Sequence, residues 1–497
     1  MRRATVAIAV VLAIAAGAAA ADPPWTLLRS EHLTVIGQES SKTLRRIAVE
    51  LEQFRAVVGG LIQHAQRPLP LPTHVYVFDS RKQLQPFQPV RGGRVAALGG
   101  YFHHDAEVND IALALEGYDE SAPVVFHEYT HLLVANAARS VPVWLNEGLA
   151  EYYSTYALEA DGTQAHIGRP IAHHVALLRK RFIPLSQLIA VDAESALYNE
   201  GERRSIFYAE AWALTHFLMI EMPDGPAAIN AYASAVARGD TPDDAFRGAF
   251  GSAPADVERL LRRYIQQLKF RSIVLTMAER PSAEVPERGR DMSAGEAGAW
   301  LGDLQRRIGR RAEATARIET AARAEPDGSM PELALGLLRL DQGRADEAWA
   351  AFESAVAAAP EDFFAQFSYG VSRLRHQAAA AAADGGARSA PSIARARDAL
   401  ARAAAINPSS SEAFAWLAYA EMIGQGRLRE ARAAIERAIE LAPGRVDYRL
   451  RYADIWILEG RIAEATALLT GLTTVKTDKA AVEGATRRLD AIARLRR

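Results

Sequence analysis

FHEYTH, Phe126 to His131, and WLNEGLAEYY, Trp144 to Tyr153, are the two stretches on which the reading of this chain turns. On an α-helix, residues four apart lie on one face, so His127 and His131 can both aim imidazole nitrogens at one ion. Glu128 lies about 100° round from His127, close enough to reach a water beside that ion without ligating it. An ordinary helix can also carry two such histidines, so the reading depends on a third ligand. A hydrolytic zinc site needs three protein ligands and one open position. Val134 and Ala137 stand where an H-x-x-G-x-x-H extension would require Gly and His, and the third ligand must come from elsewhere.

The second stretch can supply it. A helix continuing from His131 to Ala138 climbs about 10 Å, and after the break at Arg139-Ser140-Val141-Pro142 a returning helix descends about 7.5 Å by Glu147. Glu147 then sits level with His131. Glu151, one turn on, shares that face and can accept a hydrogen bond from a ligand histidine. The chain has no cysteine, so any metal site is built from His and carboxylates and no disulfide forms.

His127-Glu128-Tyr129-Thr130-His131 followed by Trp144-Leu145-Asn146-Glu147-Gly148-Leu149-Ala150-Glu151 resembles the gluzincin zinc metallopeptidases, which include thermolysin and the aminopeptidase N group. The W-L-N-E-G match is close to the aminopeptidase side. The resemblance implies that His127, His131 and Glu147 bind Zn2+, that Glu128 is the general base, and that Glu151 supports a ligand histidine. Phe207-Tyr208-Ala209-Glu210-Ala211-Trp212-Ala213-Leu214 is similar to the helix whose tyrosine stabilises the tetrahedral intermediate in aminopeptidase N relatives, which implies that role for Tyr208. Two features depart from the family. The spacer between His131 and Glu147 is shorter, and there is no G-x-M-E-N segment, so recognition of a free substrate amino terminus is not carried over. The family's edge strand before the metal helix could be Gly100 to Asp105 or Val108 to Leu115.

The 497 residues exceed one small core, and 49% hydrophobic with 24% charged residues is a globular composition. Lys and Arg number 58 against 60 Asp and Glu, which argues against a global basic field and a nucleic-acid partner. MRRATVAIAVVLAIAAGAAAADPPW opens with arginines, an apolar run shorter than the ~20 residues of a membrane span, and small residues. It reads as a signal peptide over 1–21, predicting export to a bacterial periplasm or medium with no stable membrane span after cleavage.

From Trp25 to about Tyr118, strand-like LTVIG and THVYVF flank a helical stretch, predicting a small α/β lobe. Nearly everything from Ser121 to Glu279 reads helical. The expected peptidase domain is therefore α+β over 22–279, followed by a Pro- and charge-rich linker over 280–294. Over 295–497 the sequence repeats. Pro326 and Pro360, then Pro408 and Pro443, recur at a spacing near 34, each preceded by small residues (Ala314, Ala348, Ala396, Ala431) and large ones (Ile318, Phe352, Leu400, Ile435) at matching offsets. Gly309, Gly343, Gly426 and Gly460 each precede an Arg where a helix-to-helix turn belongs. The pattern resembles tetratricopeptide repeats, about five units and a capping helix in an all-α solenoid. The low-complexity insert Gln377 to Ser389 is expected to extend a helix or form a loop.

The resulting expectation is an exported zinc metallopeptidase acting on peptides or proteins, with the solenoid binding substrate or a protein partner. The alternative is a repeat scaffold whose peptidase-like domain binds zinc but is inactive. His103-His104 and His173-His174 are secondary candidates for the cleft, Arg203 and Arg204 could read a substrate carboxylate, and His216 reads as a satisfied interior histidine.

Overall fold

The computed structural model describes residues 24–495 apart from 63–68, 92–93, 96–98, 106, 117, 138–140, 193, 200, 385–388, 425, 444 and 474–478. The expected signal peptide and its cleavage site lie outside the described residues. Among the described residues no helix is long and apolar enough to cross a membrane.

The N-terminal lobe is built on a mixed six-stranded sheet in the order Arg290–Asp291, Thr26–Arg29, Leu33–Gly37, Thr73–Phe78, Asn109–Ala114, Gly100–His104. Leu33–Gly37, Thr73–Phe78 and Asn109–Ala114 run parallel. Their near-continuous apolar runs are what strands covered on both faces require. On one face lies the long helix Ser41–Leu61, whose Leu44, Ile47, Leu51 and Phe54 pack on Val35, Val75 and Ile111. Gly100–His104 pairs antiparallel with Asn109–Ala114 and forms one edge of the sheet among the described strands, with Asn109–Ala114 inside it.

Beside the sheet stands a helical lobe of three principal helices: Tyr118–Ala137, Val143–Ser154 and Gly201–Glu221, called here the His, Glu and Tyr helices. The His helix buries Val125, Phe126, Tyr129, Leu132 and Leu133 against the sheet-covering core, with Phe126 stacked on Phe54 at 4.6 Å between centroids. That periodicity turns His127, Glu128 and His131 to the opposite side. Pro142 caps the Glu helix by accepting the amides of Leu145 and Asn146, and the helix returns between its neighbours, with Trp144 bonded to the Tyr232 hydroxyl at 3.0 Å.

Residues 294–473 form helical hairpins, from Ala294–Arg307 with Arg311–Ala324 to Val446–Leu458 with Ile462–Thr473, followed by the helix Lys479–Leu495. Gly309, Gly343, Gly426 and Gly460 hold positive φ between 67 and 83° at the turns, a conformation only glycine adopts without strain. The repeated alanines and large apolar residues are buried. A Cβ on Gly336 would stand 3.0 Å from the Phe352 ring, and one on Gly370 2.5 Å from Leu400, so these glycines let paired helices approach. The insert extends its helix, Phe363–Asp384, before leaving the described residues.

One element differs from the sequence reading. The segment 280–294, expected as a linker, folds back onto the lobe: Val285 enters its core and Arg290–Asp291 adds an edge strand to the sheet. The first hairpins then cover the sheet's second face, where Tyr76, Phe78 and Ala112 share a core with Trp300, Leu304 and Leu333.

Candidate metal centre

Three side chains from two helices converge at one point. The Nε2 atoms of His127 and His131 are 3.1 Å apart, and each lies 3.4 Å from Oε2 of Glu147. They are the one group of potential metal ligands among the described residues. Donors about 2.0–2.1 Å from a tetrahedral zinc stand about 3.3–3.4 Å from one another; the two edges to Glu147 have that length and the edge between the histidines is slightly shorter. Glu147 is buried, and its Oε2 has no hydrogen-bond partner. A carboxylate oxygen in that condition is costly unless a cation or donor takes it.

The electrostatics agree. Burial opposes charge on His127, yet its 3.4 Å contact with the Glu147 carboxylate and the fields of Glu151 and Glu128 outweigh that and raise its pKa to about 9. Burial likewise opposes ionisation of Glu147, but its contacts with His127 and His131 hold it well below the usual carboxylate range. A cluster that draws a proton onto a histidine at neutral pH draws a divalent cation by the same field. Two imidazoles and one carboxylate suit zinc.

Around these three, Glu151 faces Nδ1 of His127 at 3.6 Å and Nε2 of His174 at 3.3 Å. Burial raises the Glu151 carboxyl, but its close contact with His174 and the charge of His127 bring it below its usual value. Glu128 is half-buried and acts on His127 through its charge without joining the ligand triangle. The half-buried Tyr208 ring lies 6.2 Å from the His127 ring, nearly parallel to it. The sequence reading overlooked Tyr198, whose hydroxyl donates to Oε1 of Glu147 at 2.9 Å. It sits on the short helix Ala196–Asn199, brought to the Glu helix only by the tertiary fold, so no motif marks it.

The secondary candidates divide. His174 is buried against Glu151, while His173 is exposed and packs on its ring. His104 is exposed and bonded to Asn109. His216 is interior and satisfied by the Gly168 carbonyl at 2.7 Å and the Tyr264 hydroxyl at 2.9 Å. The side chains of Arg203 and Arg204 lie outside the described residues.

Residues 422–489 match the tetratricopeptide repeat family. The solenoid is a tetratricopeptide-repeat array. Residues 121–236, which span the His, Glu and Tyr helices, match a family described as protein of unknown function (DUF1570). No curated protein matches the chain. Among solved structures, the chain is similar to MamA from Desulfovibrio magneticus RS-1, at 17% identity and a TM-score of 0.32 over 38% of this chain and 98% of that one. It is also similar to YrrB, described as a TPR protein with an unusual peptide-binding site, at 17% identity and a TM-score of 0.32 over 38% and 91% of the two chains.

Proposed function

We propose that this protein is an exported zinc-dependent peptidase whose tetratricopeptide repeats engage a peptide or protein. The observation that carries the reading is the triangle of His127, His131 and Glu147 donors at 3.1–3.4 Å around a buried carboxylate oxygen with no hydrogen bond. Zinc, when bound there, supplies a Lewis acid that lowers the pKa of water to about 7 and polarises a carbonyl. Glu128, beside the ligands and outside their triangle, accepts the proton of the attacking water and returns it to the leaving nitrogen. Tyr208 donates its hydroxyl to the developing oxyanion. Glu151 orients His127, and Tyr198 holds the second oxygen of Glu147. The arginine-led apolar run at the N-terminus supports export.

The edge strand supports a peptide substrate. The Gly99 carbonyl accepts the Ala114 amide and the Asp105 amide donates to Val108. The alternation of an antiparallel ladder then leaves the backbone groups of Gly100, Phe102 and His104 on the open side. An extended peptide can add there as a further strand.

The repeat match speaks for protein binding and not for chemistry. It therefore also favours a second reading, a scaffold whose zinc is structural. Metal analysis of the purified full chain and peptide hydrolysis by wild type and Glu128→Gln separate the two. The peptidase reading expects about one zinc per chain in both proteins and turnover in wild type alone. Zinc without hydrolysis across a broad fluorogenic peptide library would establish the scaffold, and no zinc after metal-replete purification would refute the site.

A further inference from the structure

A cavity of about 460 Å³ opens where the His helix, the sheet edge and the solenoid meet. Leu132 and Ala135 of the His helix and Phe102 and His104 of the edge strand form one wall. Leu132 follows Glu128 by one turn and Ala135 follows His131 by one turn, so the cavity adjoins the metal centre. Phe102 and His104, two apart, project from the same face of the strand. The opposite wall comes from the first helices of three successive repeats, through Arg375, Trp416 and Arg451.

The carboxylates nearby are already engaged. Arg445 pairs with Glu412 and, at 2.7 Å, with Asp447; Glu107 takes Arg375 at 2.6 Å. Asp105 accepts the amides of Glu107 and Val108 at 2.7 and 2.9 Å. Arg451 is different. It donates to the Ala415 carbonyl and lies over the rings of Trp416 and Tyr419, 5.2 and 5.0 Å from their centroids, with no carboxylate in ion-pair contact among the described residues. Burial lowers its pKa, against the weaker fields of Glu412 and Asp447. A guanidinium carries five N–H donors in a fork that fits a carboxylate, and one carbonyl does not use them. Arg375 also lies over Trp416, 5.3 Å from its centroid, so the wall presents two cations around one aromatic face.

We propose that this cavity is a specificity subsite that takes an acidic side chain of an extended peptide, with Arg451 holding its carboxylate while the peptide backbone runs along the open edge at Phe102 and His104. The subsite's purpose rests on the peptidase reading, but the binding event requires neither metal nor turnover. The repeats thereby become one wall of the substrate cleft, and selection occurs within the chain.

Binding is measured on full-length Glu128→Gln by fluorescence anisotropy. The probes are two labelled, C-terminally amidated heptapeptides of alternating valine and threonine with a central glutamate or glutamine. The glutamate peptide should bind at least about tenfold more tightly. Arg451→Met should reduce it to the level of the glutamine peptide, and Arg451→Lys should keep part of the preference. Should Arg451→Met fail to fold, Ala135→Trp decides: Ala135 is exposed, so the ring fills the cavity without entering a core, and the preference should vanish. Equal affinities for the two peptides, or a preference that survives both Arg451→Met and Ala135→Trp, would overturn the proposal. So would tight binding of the glutamine peptide once its C-terminus is a free carboxylate, since that assigns the cavity to chain ends. Discrimination without cleavage by wild type removes the peptidase reading and leaves the subsite; cleavage without discrimination does the reverse.

Discussion

Arg307, in the first helix of the solenoid, closes on Asp110 of the sheet with bonds of 2.7 and 3.2 Å, both side chains buried. The same guanidinium contacts Asp303 and donates to the Tyr76 hydroxyl at 3.2 Å. Burial pushes the Asp110 carboxyl up, but the charge of Arg307 and the contact with His74 at 3.5 Å bring it down to about 2. Sheet and solenoid are thus joined by charge as well as by a shared apolar core.

Removing Arg307 leaves the buried Asp110 without its cation, while Asp303 keeps Arg306 at 2.8 Å; an uncompensated buried carboxylate costs far more than the intact pair contributes. Arg307→Met should lose about 3–5 kcal/mol in urea denaturation, and adding Asp110→Asn should recover part of that. A loss below about 1 kcal/mol would mean that the junction holds without this contact.

Tyr198 donates to Oε1 of the proposed ligand Glu147, whose Oε2 is the oxygen that faces the two histidines. Groups in that position tune ligand basicity and orientation, and losing one typically lowers metal affinity about 10–100-fold. Tyr198→Phe should show a loss of that size in zinc competition with a chelator, at an unchanged melting temperature of the metal-stripped protein. Unchanged affinity would reduce the 2.9 Å bond to packing.

What the sequence disclosed and what it withheld follow from the range of the forces involved. His127, His131 and Glu147 were legible because helical spacing and one turn break carry local geometry directly into three dimensions. The repeat positions were legible because each alanine meets the same neighbour in every unit. Tyr198 and Arg307 were not, since each acquires its role from a partner distant in sequence, and nothing near them in the chain distinguishes them from surface or core residues; His174 stood out only as half of a histidine pair, and its contact with Glu151 comes from the tertiary fold. The segment 280–294 misled for the same reason. Its prolines and charges describe a local chain without helix, and an edge strand made by pairing with Thr26–Arg29 leaves no local signature.

At Gly148, next to Glu147, the Glu and Tyr helices approach closely. A Cβ there would stand 2.5 Å from the Ala211 carbonyl oxygen and closer still to the Thr215 hydroxyl. Backbone cannot yield as a flexible side chain can, so Gly148→Ala should cost about 1–3 kcal/mol and displace Glu147 from the histidines. Zinc affinity should fall with stability, and Thr215→Ala should restore only part of both, because the Ala211 carbonyl remains. A fully stable, zinc-replete Gly148→Ala protein would show that the helices separate freely.

Glu210 lies on the inner side of the Tyr helix, fully buried, accepting the Ile183 amide at 2.6 Å with one oxygen while the other has no partner. Burial raises its pKa from the usual 4.5 to about 8; the Ile183 bond and Arg262 oppose the rise and Glu258 adds to it. Below the unfolded value both states hold the proton and the group contributes no pH dependence. Between about 4.5 and 8 the folded state keeps a proton that the unfolded state has lost, so stability falls by about 1.4 kcal/mol per pH unit, and above 8 the loss is complete and constant. Glu210→Gln keeps the acceptor for Ile183 and removes the titration. Its unfolding free energy, followed by urea denaturation from pH 5 to 9, should diverge upward from wild type as pH rises and level off near pH 8. Parallel curves across that window would mean that Glu210 ionises at its ordinary value.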